Sequence, residues 1–177
     1  MKNILFIMIA IILMLSSCIT VKFEDAQPKD TPELKEFPES MLGVYFDNNK
    51  DTLTITNFSF KYGSKKSLLY QNKTLSPDES VLKKFNDYYV LSLKDDDNWE
   101  VVVFKCIEKD LSVFYINLDK NRERTLSKIK AIMPVKEIKG NNGKIDYYLI
   151  NPSKKDFQTL LDKEIFSHIG DFKRIIK

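Results

Sequence analysis

The side chains that could perform acid–base or nucleophilic chemistry are few in this sequence. There is one histidine, His168, and its neighbour Ser167 is adjacent in the chain, an arrangement that rarely forms a nucleophile–base pair. No second histidine is available to share a metal ion with it. The five glycines form no phosphate-binding loop. We therefore expect a structural or solvent-exposed His168, no catalytic residue and no cofactor.

Acidic side chains cluster in two short stretches that merit comparison with calcium sites and paired-carboxylate hydrolases. Residues 95–97 and Glu100 crowd one predicted turn, and residues 119–123 carry an Asp-x-Asn-x-Glu pattern. Calcium prefers such oxygen ligands, but both stretches lack the glycine and the distal glutamate of an EF-hand loop. Two solvated turns are the simpler interpretation, and no metal site is predicted.

The N-terminus has the three parts of a secretory signal. Lys2 provides the charged start, residues 4–15 are an unbroken apolar run, and small residues follow at Ser16 and Ser17. As a helix the 12-residue run spans only about 18 Å at 1.5 Å per residue. A bilayer core is about 30 Å thick. A cleaved signal peptide over residues 1–17 is therefore predicted, rather than a membrane-spanning helix.

The end of this run resembles a lipobox, the four-residue signal of bacterial lipoproteins. Leu15-Ser16-Ser17-Cys18 has the aliphatic residue, the two small residues and the cysteine of that pattern. The resemblance implies cleavage between Ser17 and Cys18, a diacylglyceryl group on the Cys18 sulfur and usually acylation of the new amino group. Two or more acyl chains give stable membrane anchoring, whereas one is marginal.

Composition limits what the mature chain, residues 18–177, can be. Loss of Lys2 lowers the formal net charge from +3 to +2, which does not suggest a nucleic-acid partner. Cys106 has no disulfide partner once Cys18 is acylated, and a small buried hydrophobe is its commonest role.

Residues 19–37 contain two prolines and no clear periodicity, so a flexible tether over residues 18–37 is predicted. A single domain over residues 38–177 would follow.

The remaining pattern predicts a mainly β (α+β) fold. Residues 41–46 and 51–56 predict a hairpin, the second strand by strict alternation of threonine and aliphatic residues. Residues 88–93, 99–107 and 111–116 are separated by short polar turns and predict an antiparallel meander. The middle run is apolar on both faces near Val101, so it should be a central strand covered on both sides. A small barrel and a two-layer sandwich both fit.

Two helices and a second hairpin are predicted in the C-terminal half. Apolar residues recur at helical spacing over residues 121–132, where Pro134 ends the pattern. Residues 135–138 and 144–150 flank a Gly-Asn-Asn-Gly turn. Asn151 and Pro152 suit the start of a second helix, which carries an apolar stripe through residue 165. The tail after residue 165 keeps enough apolar residues to dock.

Aromatic and aliphatic side chains on three of these strands suggest a ligand cavity. Tyrosine combines an apolar ring with a polar tip, which suits a cavity or an interface. A sheet whose rim is covered by tyrosines is the other interpretation. If the sheet closes as a barrel, the candidate lining residues are Tyr89, Leu91, Val101, Val103, Tyr147 and Leu149.

Taken in order, the motifs resemble small lipoproteins of flavobacteria and their relatives. They are the lipobox, Leu42-Gly43-Val44-Tyr45, Asp51-Thr-Leu-Thr-Ile55, Asn98-Trp99-Glu100-Val101 and Asn151-Pro152-x₄-Phe157. The resemblance implies a host with an outer membrane and brings no catalytic residue. Gly43-x-Tyr45 is a looser match to the G-x-W of lipocalin barrels.

We expect a non-enzymatic, lipid-anchored binding or assembly domain of the cell envelope. A lipocalin-like carrier of a small apolar ligand is the alternative, and a hydrolase of unknown type is the third hypothesis.

Overall fold

The computed structural model describes residues 19–63, 70–119 and 121–175. The predicted signal peptide and Cys18 lie outside these residues. Thirteen strands occur in the described part: β1 Thr20–Phe23, β2 Glu33–Leu34, β3 Gly43–Phe46, β4 Thr52–Ile55, β5 Ser59–Tyr62, β6 Gln71–Thr74, β7 Ser80–Phe85, β8 Tyr88–Asp95, β9 Asn98–Ile107, β10 Asp110–Tyr115, β11 Val135–Lys139, β12 Ile145–Ile150 and β13 Ser167–Arg174. Its two helices are α1 Arg122–Lys130 and α2 Lys154–Asp162.

The strands form one curled sheet in the order β11-β12-β1-β9-β10-β13-β3-β4-β5-β6, with β8, β7 and β2 branching from β9. Nearly all neighbouring strands are antiparallel, and the sheet makes a half-barrel. The mainly β prediction and the placing of both helices in the C-terminal half are confirmed. Between a barrel and a two-layer sandwich, the curl of this single sheet decides in favour of a barrel-like form.

The first predicted hairpin is present as strands β3 and β4. The hairpin joins β3 to β4 with Gly43 opposite Ile55 and Phe46 opposite Thr52. Along β4 the aliphatic residues Leu53 and Ile55 are buried while the threonines are half-exposed. Alternation of this kind places one face of a strand in the core.

The predicted meander is strands β8, β9 and β10, and β9 is the central strand that the sequence indicates. It pairs with β8 along one edge and with β10 and β1 along the other. Val101, Val103 and Phe104 are all buried although they point to opposite faces. A strand covered on both faces needs apolar residues at consecutive positions, which explains the run Val-Val-Val-Phe.

Each face of the sheet has its own hydrophobic cluster. The helix-side cluster places Val101 and Val103 of β9 against Ile129 of α1 and against Phe157 and Leu160 of α2. The curl-side cluster fills the inside of the half-barrel, where residues of β3, β4 and β5 meet residues of β7, β8 and β10. Both clusters therefore depend on the same central strands.

The predicted tether is wrong for the residues described. Thr20–Phe23 is strand β1, which pairs in parallel with β12 from Thr20 opposite Tyr147 to Phe23 opposite Ile150. Val21 and Phe23 are 1% exposed, and Phe37 joins the curl-side cluster. The folded domain thus includes β1 and extends to the N-terminal side of residue 38. Only four residues form this strand, and its partners are more than 70 positions away, so no local pattern reveals it.

The C-terminal segments agree with the sequence except at one helix start. The second hairpin is β11 and β12, and α1 occupies most of the predicted helix. Helix α2 is capped by Ser153 and not by Asn151, because the Ser153 side chain and Asp156 form a capping box. The tail forms strand β13, which lies inside the sheet between β10 and β3. Residues 76–79 form a hydrogen-bonded turn before β7.

Candidate functional site

The six residues predicted to line a ligand cavity lie on two faces of the sheet. Tyr89 and Leu91 pack with the curl-side cluster. Val101 and Val103 belong to the helix-side cluster and are 1% and 0% exposed. Since Tyr89 is paired with Phe104 and Leu91 with Val102, neither Tyr89 nor Leu91 shares a face with the two valines.

The last two members of that set are on β12, and they face away from the helices. Their neighbours Tyr148 and Ile150 occupy the helix-side cluster. The Tyr147 ring lies 4.4 Å from the Lys22 ammonium, and its hydroxyl accepts a hydrogen bond from Asn98 Nδ2 at 3.0 Å. Leu149 is paired with Lys22. The six residues therefore do not share one face of the sheet, because inter-strand register, which the sequence does not show, decides the faces.

The acidic turn between β8 and β9 is partly neutralised by a cation from β1. Lys22 Nζ lies 2.6 Å from Asp95 Oδ2. Burial raises the pKa of the nearby Glu100 carboxyl, and Asp95 raises it further while Lys22 opposes both. Within residues 19–63, 70–119 and 121–175, no three His, Cys, Asp or Glu side chains are grouped so that they could hold a metal ion. Cys106 is half-buried and packs with the curl-side cluster.

The sheet departs from regular pairing at the start of β13. Val113 is opposite Gly170 and Phe114 is opposite His168, so Ile169 is an extra residue, a β-bulge. Ile169 is 53% exposed. In a regular strand residues three apart point to opposite faces. The bulge instead brings His168 and Asp171 to the same face, and bulges of this kind are frequent next to functional sites.

His168, Asp171 and Ser112 form a hydrogen-bonded group on that face. His168 Nε2 lies 3.0 Å from Asp171 Oδ1, and the Ser112 hydroxyl donates to the same oxygen at 2.6 Å. These hydrogen bonds, the one from Ser112 first, lower the pKa of the Asp171 carboxyl below its usual range. A carboxylate that accepts hydrogen bonds is held in its charged form. Asp171 therefore fixes the orientation of a half-exposed imidazole.

Aromatic rings continue this group across the neighbouring strands. The Phe114 ring centroid lies 5.5 Å from that of His168 and 6.1 Å from that of Tyr88. Both contacts are edge-to-face, the arrangement that aromatic rings prefer. We call Tyr88, Phe114, His168, Ile169 and Asp171 the His168 surface.

Three surface concavities of about 360–370 Å³ each adjoin the His168 surface. One has a polar lining that includes Asn121, Lys128 and His168. A second lies between Phe114, Leu161 and His168, with more apolar walls. The third lies on the Asp171 side and reaches Asp47 and Tyr62, whose hydroxyl donates to Asp47 at 2.9 Å. None of the three is lined by any of the six residues predicted for a cavity.

Neither Ser112 nor Ser167 is placed to act as a nucleophile with His168 as its base. A serine nucleophile needs a direct hydrogen bond to its histidine base. Here Ser112 and His168 contact the same carboxylate oxygen from separate strands, and the Ser167 hydroxyl donates to the Tyr115 carbonyl at 3.2 Å. What remains is an oriented imidazole, aromatic edges and one exposed aliphatic side chain.

Sequence reasoning identified His168 as an isolated histidine but missed Asp171, Phe114 and the bulge. One local signal was available. Gly170 follows a β-branched residue within a strand-like segment, and a glycine inside a strand often marks a bulge.

The chain was compared with known protein families, with curated proteins and with solved structures. It matches no family model, no curated protein and no solved structure.

Proposed function

We propose that this chain is a lipid-anchored protein of the bacterial cell envelope whose β-rich domain binds another envelope component without catalysing a reaction. Acyl chains on Cys18 would provide the anchor. The observation that supports the anchor is the position of β1. Strand β1 starts at Thr20, two positions after Cys18, so cleavage before Cys18 would leave the strand whole. None of the described helices is long and apolar enough to cross a bilayer.

The proposed location is the outer membrane of a Gram-negative bacterium. It rests on the flavobacterial resemblance and on Ile19, which replaces the aspartate that retains enterobacterial lipoproteins in the inner membrane. Attachment by the predicted acyl chains, rather than by a spanning helix, is the mode of anchoring proposed.

The anchor is tested by replacing Cys18 with alanine in the full chain. We expect wild-type protein in the membrane fraction and the variant released from it, with loss of the acylated N-terminal peptide in mass spectrometry. Cys106→Ala is the matched control, because it removes the other cysteine and should leave fractionation unchanged. Cys18→Ala protein that stays acylated or membrane-bound would contradict the proposal.

The observation that supports a binding role is the β-bulge at Ile169. It leaves an aliphatic side chain 53% exposed on the His168 surface, where it lines two of the concavities. Exposed aliphatic and aromatic groups beside oriented polar groups are typical of protein-recognition surfaces. The partner we expect is therefore an envelope protein, and the surface has no basic stripe that would suit a nucleic acid.

A photo-reactive amino acid at position 169 tests this role in intact cells. We expect one specific envelope protein to be crosslinked from position 169. The control position is Phe58, which is 58% exposed and lies in the turn between β4 and β5. The same adducts from both positions, or only lipid and abundant porins from position 169, would refute binding by the His168 surface.

A further inference from the structure

The distance between the proposed anchor and the sheet is short. Cys18 precedes Thr20, the first residue of β1, by two positions. Two residues of extended chain span at most about 7 Å. If Cys18 carries the acyl chains, as the proposed function assumes, Thr20 lies within about 7 Å of the residue held at the bilayer surface.

The turn between β11 and β12 projects from the same end of the sheet. Because β1 and β12 are parallel, with Thr20 opposite Tyr147, the residues before Tyr147 extend in the direction from which the chain enters β1. Lys144 precedes Tyr147 by three residues, about 10 Å at 3.3 Å per residue. The turn therefore reaches further in this direction than the two residues that join Thr20 to the anchor.

The turn is held in shape by its own hydrogen bonds. Gly140 N–H donates to the Lys144 carbonyl at 2.9 Å, and Gly143 N–H donates to the Gly140 carbonyl at 2.9 Å. The Asn142 side chain accepts from Lys144 N–H at 2.9 Å. Gly143 has φ 72°, a left-handed conformation that glycine adopts without strain. A turn fixed in this way presents its flanking side chains in a constant position.

The two lysines that flank the turn are available to an anionic surface. Lys139 and Lys144 are exposed, and neither forms an ion pair with another residue of the described chain. The turn itself contains no acidic residue, and Asp146 follows two positions into the strand. Lys136, on the same hairpin, is instead paired with Glu24 at 2.6 Å.

From this placement we propose that residues 139–144 form a second membrane contact, in which Lys139 and Lys144 bind the anionic head groups of a phospholipid bilayer beside the acylated Cys18. The acyl chains supply attachment and the turn supplies orientation. Basic side chains next to an acyl anchor are a common second signal for membrane binding. The domain then has a preferred orientation at the membrane.

The test uses the purified lipidated chain in two kinds of vesicle, phosphatidylcholine alone and phosphatidylcholine with about one third phosphatidylglycerol. A water-soluble amine reagent labels accessible lysines, which are then quantified by mass spectrometry. We expect labelling of Lys139 and Lys144 to fall about fivefold in the anionic vesicles only, and to recover at high salt. Lys61, exposed on β5 and six strands from β1, is the matched control and should be labelled equally in both.

The outcomes separate this inference from the proposed function. If the chain purified from the membrane fraction carried an unmodified Cys18, the proposed anchor would be overturned and this inference with it. An acylated chain whose Lys139 and Lys144 are labelled equally in both vesicles would overturn the inference alone. Lys139→Glu with Lys144→Glu should abolish the anionic protection while the acylated chain stays vesicle-bound. The same change at Lys61 should have no effect.

Discussion

Asp171 is the residue on which the His168 surface depends. Its carboxylate accepts from Ser112 and lies against His168, so it joins β10 to the bulged part of β13. The side chain is 40% exposed, and solvent therefore weakens what these contacts contribute. Even so, no other side chain contacts both of these groups at hydrogen-bonding distance within residues 19–63, 70–119 and 121–175.

We predict that Asp171→Asn lowers the free energy of unfolding by roughly 1 kcal/mol at about pH 7, after allowance for exposure. Folding lowers the pKa of Asp171. The carboxylate's contribution is therefore complete above the ordinary aspartate pKa and is lost as the pH falls through the folded pKa. Urea unfolding from about pH 7 down to about pH 2 should show the two curves converging.

A nearby exposed aspartate provides the control. Asp87 lies in the turn between β7 and β8 and has no hydrogen bond or ion pair among the described residues. Asp87→Asn should leave stability within about 0.5 kcal/mol of wild type at neutral pH. A constant difference between Asp171→Asn and wild type across the whole pH range would contradict the assignment of this contact to the charged form.

At the scale of elements, some strands can be identified from the sequence and others, such as β1, cannot. The strands β4 and β9 are evident locally, one from alternation and the other from apolar residues on both faces. Strands β1 and β13 are not evident from the sequence. Strand β1 has only four residues, and β13 contains a bulge and a glycine, so neither shows a regular alternation of apolar and polar residues. Their positions come from pairing with β12, β10 and β3, far away in the chain. The candidate site depends on β13, and so only its histidine could be identified beforehand.

A single substitution distinguishes a strand from a tether at the N-terminus. Phe23 is 1% exposed, and its ring stacks against Phe166 with centroids 6.3 Å apart. We predict that Phe23→Ala lowers the free energy of unfolding by about 3–5 kcal/mol, the usual cost of removing a buried ring. Chemical denaturation followed by circular dichroism measures this directly.

The matched control is Lys35→Ala, an exposed position in the same predicted tether. It should change stability by less than about 0.5 kcal/mol. If Phe23→Ala were as mild as Lys35→Ala, β1 would not be part of the folded domain in solution, and the short distance between the proposed anchor and the sheet would lose its basis.

For the whole molecule, the two hydrophobic clusters share one sheet, and this should make unfolding cooperative. Trp99 is the only tryptophan of the chain and lies in the helix-side cluster. Leu82 is fully buried on the other face, in the curl-side cluster. Strands β8 and β9 place side chains in both clusters, so loss of one removes support for the other.

We predict that Leu82→Ala destabilises the fold by about 2–5 kcal/mol and shifts the Trp99 fluorescence transition by the same amount as the far-UV circular dichroism transition. The fluorescence probe and the substitution are on opposite faces, so agreement between the two signals measures coupling across the sheet. A Trp99 transition that stays at its wild-type midpoint would show that the clusters unfold independently.

The position of β13 determines when the sheet can be completed during synthesis of the chain. It is the last of the described strands along the chain, yet the hydrogen-bonded path from β10 to β3 runs through it. Among the described strands, β3–β6 have no ladder pairing with the rest of the sheet until residues 167–174 have been synthesised. Completion of the sheet is thereby delayed until β13 is available, so the half-barrel cannot close while only the earlier strands have been made.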